Sequence, residues 1–171
     1  MSDKNQAIID FLIRCPIIRN NPLYFNFINA KENNKQIIAL ANDIAVNKAY
    51  IDGSVDKRYS ATIVDFKSVA YNQIVKEEGL SDENVTDMSE VQEIIDWVNA
   101  QVELASQDYE HRLDYLPDFG GSCVIDTMRV TTENPRLNSI DTQTTPVLAK
   151  YSFTIQVDYL DISKKLWHNN N

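Results

Sequence analysis

The stretch that decides the fold is Tyr50-Ile51-Asp52-Gly53-Ser54, followed at once by the alternating run Tyr59–Phe66. An Asp-Gly pair can adopt positive φ at the centre of a tight turn, and residues typical of strands flank this pair on both sides. We therefore predict a β-hairpin with strands over residues 44–51 and 59–66. No catalytic motif competes with this signal, so the sequence is most informative about architecture.

The cleanest alternation in the chain lies near its C-terminal end. Apolar residues occupy every second position there, with polar residues between them: Ala149, Tyr151, Phe153, Ile155, Val157 and Tyr159. This pattern is typical of an antiparallel strand with one buried and one solvated face. Further strands are predicted over residues 23–28, 36–41 and 122–131, with Val69-Ala70-Tyr71 as a short edge strand. In the strand over 122–131, we expect one face to carry Val124, Met128 and Val130, and the other Ile125.

Two helices are predicted. The first covers residues 5–15, with an apolar face made of Ala7, Ile8, Phe11, Leu12 and Cys15, and Pro16 makes its continuation costly. The second begins at Ser89, because Ser89 and Gln92 fit a capping box and Glu90 then lies where the helix dipole favours negative charge. Its apolar face consists of Val91, Ile94, Ile95, Val98, Val102 and Ala105. Residues 76–87 and 132–145 are predicted to be polar loops.

These elements predict an α+β fold: a mainly antiparallel β-sheet with a long amphipathic helix packed on it and a short N-terminal helix. The chain has 171 residues, of which 43% are hydrophobic, and both values suit one globular domain. We expect that domain to span residues 1–171, with a polar tail at about 164–171 that Trp167 is placed to anchor.

Charge and cysteine content exclude several classes of protein. The net charge is −9, with 16 basic against 25 acidic residues, which argues against a protein that wraps nucleic acid by neutralising phosphates. No apolar run is long enough for a membrane span and the N-terminus does not resemble a secretory signal, so we expect a cytoplasmic protein, or one assembled from the cytoplasm, with no membrane partner. Two cysteines, Cys15 and Cys123, favour reduced thiols, although a single pairing stays open.

Catalytic and metal-binding patterns are weak. The two histidines, His111 and His168, have no metal-ligand spacing, and Gly120-Gly121 lacks the context of a phosphate-binding loop. The sharpest enzymatic alternative pairs Cys123 with His111, with Asp126 as the orienting carboxylate. Another alternative is an acidic module that docks a basic protein through residues 76–90. We predict no catalytic residues, no cofactor and no metal.

The hairpin also carries a family resemblance. Lys48-Ala49-Tyr50-Ile51-Asp52-Gly53-Ser54, leading into Arg58–Ile63, resembles the hairpin of minor capsid or tail-terminator proteins of tailed bacteriophages. The order that follows is similar too, with a helix, the joint Leu116-Pro117, a strand, a loop and a closing strand. The likeness covers about residues 5–162.

This resemblance implies a structural subunit without an active site. Such subunits form a ring, usually hexameric, at the head-proximal end of the phage tail. The ring stops polymerisation of the tail-tube protein and joins the tail to the head-completion proteins, and DNA passes through its lumen without specific binding. We therefore expect a virion protein assembled in the bacterial cytoplasm, with another head–tail connector or stopper component as the alternative.

A closed ring requires head-to-tail interfaces between neighbouring subunits. The tip of the hairpin, predicted over residues 52–57, and the long loop over residues 132–145 are the natural devices for reaching a neighbour or a partner protein. The residues expected at these contacts are Asp52, Gly53, Lys57 and Arg58 in the hairpin, and Asn134, Arg136, Asn138 and Asp141 in the loop.

Overall fold

The computed structural model describes residues 3–19, 23–25, 35–68, 74–76, 79–81, 83–143, 145 and 147–165. The helices are α1 Lys4–Leu12, α2 Pro16–Arg19, α3 Glu83–Gln107 and α4 Arg112–Tyr115. The strands are β1 Leu23–Phe25, β2 Lys35–Ala49, β3 Val55–Ser68, β4 Ile74–Lys76, β5 Gly79–Ser81, β6 Cys123–Val130, β7 Arg136–Asp141 and β8 Leu148–Asp161. The predicted edge strand 69–71, the end of the strand over 23–28, His168 and most of the predicted tail, including Trp167, lie outside the described residues.

The main sheet has the order β1-β2-β3-β8-β6, and β7 pairs with β8 beside β6. All of its pairs are antiparallel except β1 with β2. Strands β4 and β5 form a separate two-stranded sheet. A mainly antiparallel sheet with helices outside it confirms the predicted α+β class, including the long helix and the short N-terminal one.

The hairpin predicted around Gly53 is confirmed and is longer than expected. Gly53 has φ +86°, in the region that favours glycine, and a Cβ there would overlap the backbone oxygen of Lys164. Strand β2 is continuous, so the strands predicted over 36–41 and 44–51 are one element. Its pairing with β3 shifts register between Leu40 and Ile44. This irregularity interrupts the alternation, which is why the sequence pattern divides the strand in two.

The face assignment in β6 was wrong for Val124 and Ile125, whereas Met128 and Val130 share a face as predicted. The pairing of β6 with β8 shifts between Ile125 and Thr127, which leaves Asp126 out of register. Because an extra residue reverses the alternation beyond it, Ile125 and Met128 are both buried, whereas Val124 is exposed.

The loop predicted over 132–145 was also wrong in part, because residues 136–141 form strand β7. This strand pairs with the first half of β8, from Arg136 opposite Ser152 to Asp141 opposite Leu148. All six of its residues are exposed. A strand with no buried face has no hydrophobic alternation, so its sequence is typical of a loop.

Helix α3 begins at Glu83, six residues before the predicted start, so Ser89 and Gln92 are interior residues and the capping box is wrong. Residues 84–87 are poor helix formers, which hides this first turn from the sequence. The predicted loop over 76–87 is replaced by the end of β4, by β5 and by this turn. The apolar face of α3 is confirmed: Val91, Ile94, Ile95, Val98 and Ala105 are buried, and Val102 packs against them.

The core lies between one face of the sheet and helices α1 and α3. Helix α1 begins at Lys4, after its N-cap Asp3, and ends at Leu12, three residues before the predicted end at Cys15. The predicted apolar face is nevertheless buried, including Cys15 beyond the helix. The Phe11 and Trp97 rings join α1 to α3, with centroids 5.1 Å apart. Phe119 packs edge-on against Tyr59 and Tyr159, with centroids 5.7 and 5.4 Å away. The six alternating apolar residues predicted in β8 are all buried.

Candidate functional site

The hairpin tip, residues Tyr50–Ser54, is held by its own hydrogen bonds. Tyr50 N donates to Ser54 O at 2.8 Å, and Gly53 N donates to Tyr50 O at 3.0 Å. Asp52 Oδ1 accepts from Ser54 Oγ at 2.6 Å and from Ser54 N at 3.1 Å. These bonds lower the pKa of Asp52, with the Ser54 hydroxyl as the largest contribution. Ile51 projects from this ordered turn and is fully exposed.

The residues after β8 support the tip from behind. Lys165 Nζ lies 3.4 Å from Asp52 Oδ2. The Lys164 backbone lies so close to Gly53 that only glycine fits there. Lys164 and Lys165, from the predicted tail, are therefore part of this end of the molecule. Two cations thus accompany the single carboxylate of the tip.

Lys57 and Arg58, two predicted contact residues, form ion pairs across β3 and β8. Lys57 Nζ lies 2.7 Å from Asp161 Oδ2, and Arg58 donates to both Asp158 oxygens at 2.6 and 2.9 Å. Burial acts to raise the pKa of Asp161, but hydrogen bonds, the strongest from Lys57, lower it to about 2. The hydrogen bond to Asp158 raises the pKa of Arg58. Both cations thus stabilise the sheet, and their contact with a neighbour stays a prediction.

The other predicted contact residues belong to β7 or precede it. Arg136, Asn138 and Asp141 lie in β7 and are exposed, and Asn134 is exposed just before it. Asn138 Nδ2 donates to Ser152 Oγ at 2.6 Å, which attaches the strand to β8.

The eight predicted residues therefore form two groups rather than one. Arg136 is opposite Ser152, whereas Arg58 is opposite Asp158. The two groups therefore lie beside positions of β8 that are six residues apart. At about 3.4 Å per residue, this corresponds to roughly 20 Å along the strand. The hairpin tip and strand β7 are two separate surfaces.

The sequence did not reveal a pair of adjoining clefts next to the hairpin. They measure about 440 and 480 Å³ and share Tyr109, Arg112, Val124 and Ile125. We call the larger one, which also includes Leu113, the Tyr109 cleft. Tyr109, Leu113 and Val124 are 72%, 55% and 45% exposed. The only sequence signal was apolar residues four apart beyond the end of the α3 stripe.

A buried group of charges was missed as well. Lys67 and Asp65 are each 1% exposed on the core face of β3. Lys67 Nζ is 3.9 Å from Asp65 Oδ2 and forms an ion pair with Glu90 of α3. Glu90 was expected to interact with the helix dipole in the first turn, but it lies further along α3 and contacts Lys67 instead. In the sequence, Asp65, Lys67 and Glu90 resemble ordinary surface charges, so no pattern marks them as a buried group.

Of the two clefts beside the hairpin, neither is lined by Cys123 together with His111 or Asp126. His111 Nδ1 contacts Asp108 Oδ1 at 3.0 Å, and this contact raises the pKa of His111. Cys123 lines the Tyr109 cleft, whose lining includes neither His111 nor Asp126. Cys15 is buried, and neither cysteine is in a disulfide.

Within the described residues, no group of three or more His, Cys, Asp or Glu side chains could hold a metal ion. None of the helices in the described part of the chain is long and apolar enough to cross a membrane. No protein-family model matches the chain, and no curated protein matches it either.

Proposed function

We propose that this chain is a structural virion protein of the tail-terminator kind. Its subunits form a ring, hexameric as is usual in the proteins it resembles, at the head-proximal end of a phage tail. The ring caps the tail tube and joins it to the head-completion proteins. On this proposal the protein assembles in the bacterial cytoplasm and remains in the virion.

The observation that carries the proposal is the separation of two different projecting surfaces on one rigid sheet. The hairpin tip presents an ordered apolar residue, Ile51, whereas β7 presents an exposed strand edge. A head-to-tail interface joins two unlike patches of the same chain, and it closes into a ring when the rotation between subunits allows it. The hairpin and β7 lie beside positions of β8 that are about 20 Å apart, so each can contribute to such an interface with a different surface of the neighbouring subunit.

The strand edge supports contact with a neighbour in a second way. In the part of the chain that the structure describes, β6 and β7 each pair with β8 along one edge and with no strand along the other. An exposed strand edge can pair with the backbone of another chain. Leu137 and Ile140 of β7 are each 48% exposed and add apolar surface to this edge.

Charge supports the remaining part of the proposal. With a net charge of −9, the protein repels rather than retains DNA on average. On the sheet, the guanidinium of Arg58 is held by Asp158, and Arg129 donates to Gln156 Oε1 at 3.1 Å. Asp158 balances the charge of Arg58, which suits passage of DNA without specific binding.

The test is the mass of the purified protein in solution, with the β7 edge altered. We expect Leu137→Lys together with Ile140→Lys to shift the protein from ring to monomer, because lysines on an edge disfavour strand pairing. Leu104→Lys is the control, since Leu104 is exposed to a similar degree on α3. If the variant with both lysines keeps the mass of the wild type, β7 takes no part in assembly.

Point substitutions are preferable to a loop deletion. Removing residues 134–143 would delete the whole of β7 and its pairing with β8, so it would test folding as well as assembly. Co-sedimentation with polymerising tail-tube subunits separates a tail terminator from a head-side stopper, because only the terminator binds the end of the tube.

A further inference from the structure

The hairpin tip has the properties of a docking element. Ile51 is fully exposed, yet the turn that carries it is fixed by hydrogen bonds within Tyr50–Ser54. Tyr50 Oη also donates to Asp56 Oδ2 at 2.8 Å, which ties the tip to the start of β3. A rigid apolar projection loses little conformational entropy on binding.

The Tyr109 cleft has the complementary properties. It is lined by Gly120 and Gly121 and by the side chains of Tyr109, Leu113 and Val124. The guanidinium of Arg112 lies 5.1 Å from the centre of the Tyr109 ring, which orders one wall. Exposed apolar surface rimmed by charged residues is characteristic of protein interaction sites.

The net charges around the hairpin tip and around the Tyr109 cleft have opposite signs. The end of the hairpin from Lys48 to Asp56, with Lys164 and Lys165 behind it, carries three cations and two anions: Lys48, Lys164, Lys165, Asp52 and Asp56. The rim of the cleft carries two anions and one cation: Glu110, Asp118 and Arg112. In a chain with a net charge of −9, a locally positive projection is attracted to a locally negative cleft.

We propose that the hairpin tip of one subunit inserts Ile51 into the Tyr109 cleft of a second copy of this chain. The same polypeptide provides both the projection and the cleft, and Ile51 is too exposed to occupy the cleft of its own subunit. The inference rests on the self-assembly proposed above and specifies which surface of the neighbouring subunit the hairpin tip contacts.

The first test measures self-association of the full chain by light scattering over a range of concentrations. Burying an Ile side chain stabilises by about 1.5–3 kcal/mol, so Ile51→Asp should weaken association about 10- to 100-fold. Leu113→Asp, on the other side of the contact, should have a similar effect. Ile13→Asp is the control, because Ile13 is exposed but lines neither cleft.

The second test uses Cys123, which lines the Tyr109 cleft. In Ile51→Cys protein under mild oxidation, a disulfide to Cys123 of a neighbour should give covalent multimers on non-reducing gels. The same variant with Cys123→Ser should give no covalent species larger than a dimer joined through position 51 of two chains. An oligomer that yields no such multimers, or whose affinity is unchanged by Ile51→Asp, overturns the docking and leaves the proposed function standing. A wild-type protein that is monomeric at every concentration overturns both.

Discussion

Replacing Gly53 by alanine tests the account of the hairpin most sharply. Gly53 has φ +86°, where an alanine costs about 1–2 kcal/mol more than a glycine. The new Cβ would also overlap the backbone oxygen of Lys164, and relieving an overlap of this kind costs about 1–3 kcal/mol. We therefore expect Gly53→Ala to lower the free energy of unfolding by about 2–5 kcal/mol.

Gly121→Ala is the matched control. A Cβ on Gly121 has no atom within 4 Å, so the overlap is absent. We expect its free energy of unfolding to stay within about 0.5 kcal/mol of the wild type. The assay is urea denaturation followed by circular dichroism, with the two variants measured side by side. Equal losses in both variants, or a loss below about 1 kcal/mol in Gly53→Ala, would refute the reasoning about the turn.

Two further predictions concern charged residues. Lys67→Met removes the cation between Asp65 and Glu90 and leaves a carboxylate buried beside an apolar side chain. We expect the free energy of unfolding, measured by urea denaturation, to fall by about 3 kcal/mol. An unchanged free energy would contradict the buried ion pair. Asp161 has a pKa of about 2, below its ordinary 3.8, so its contribution to stability is present above pH 3.8 and is lost as pH falls towards 2. Asp161→Asn should therefore lower stability at neutral pH and flatten the decline between pH 4 and 2, and an unchanged acid profile would show that the Lys57 pair contributes nothing.

Features that depend on local sequence were predictable. The Asp52-Gly53 turn, the alternation of β8 and the apolar stripe of α3 are all determined by neighbouring residues, and each was confirmed. In these segments the side-chain period and the turn chemistry agree with the tertiary structure.

Features that depend on a distant partner were not predictable. The extra residue at Asp126 is defined by its register with β8, and β7 is a strand only because β8 provides its hydrogen bonds. The Lys67–Glu90 pair joins positions that are 23 residues apart, and the Tyr109 cleft forms where α4 meets β6. Of the candidate contact residues, the sequence placed Asp52 and Gly53 in the turn correctly, but the predicted tip over 52–57 was too long, because Lys57 lies in β3. The sequence also gave no indication that Lys57 and Arg58 form ion pairs with β8.

The most direct measurement of the central claim is the solution mass of the wild-type protein, by light scattering over a range of concentration and salt. The account predicts a discrete, ring-sized species of about six subunits that persists on dilution better than either the β7 edge variant or Ile51→Asp. A mass equal to that of a single 19.6 kDa chain under all conditions would contradict it.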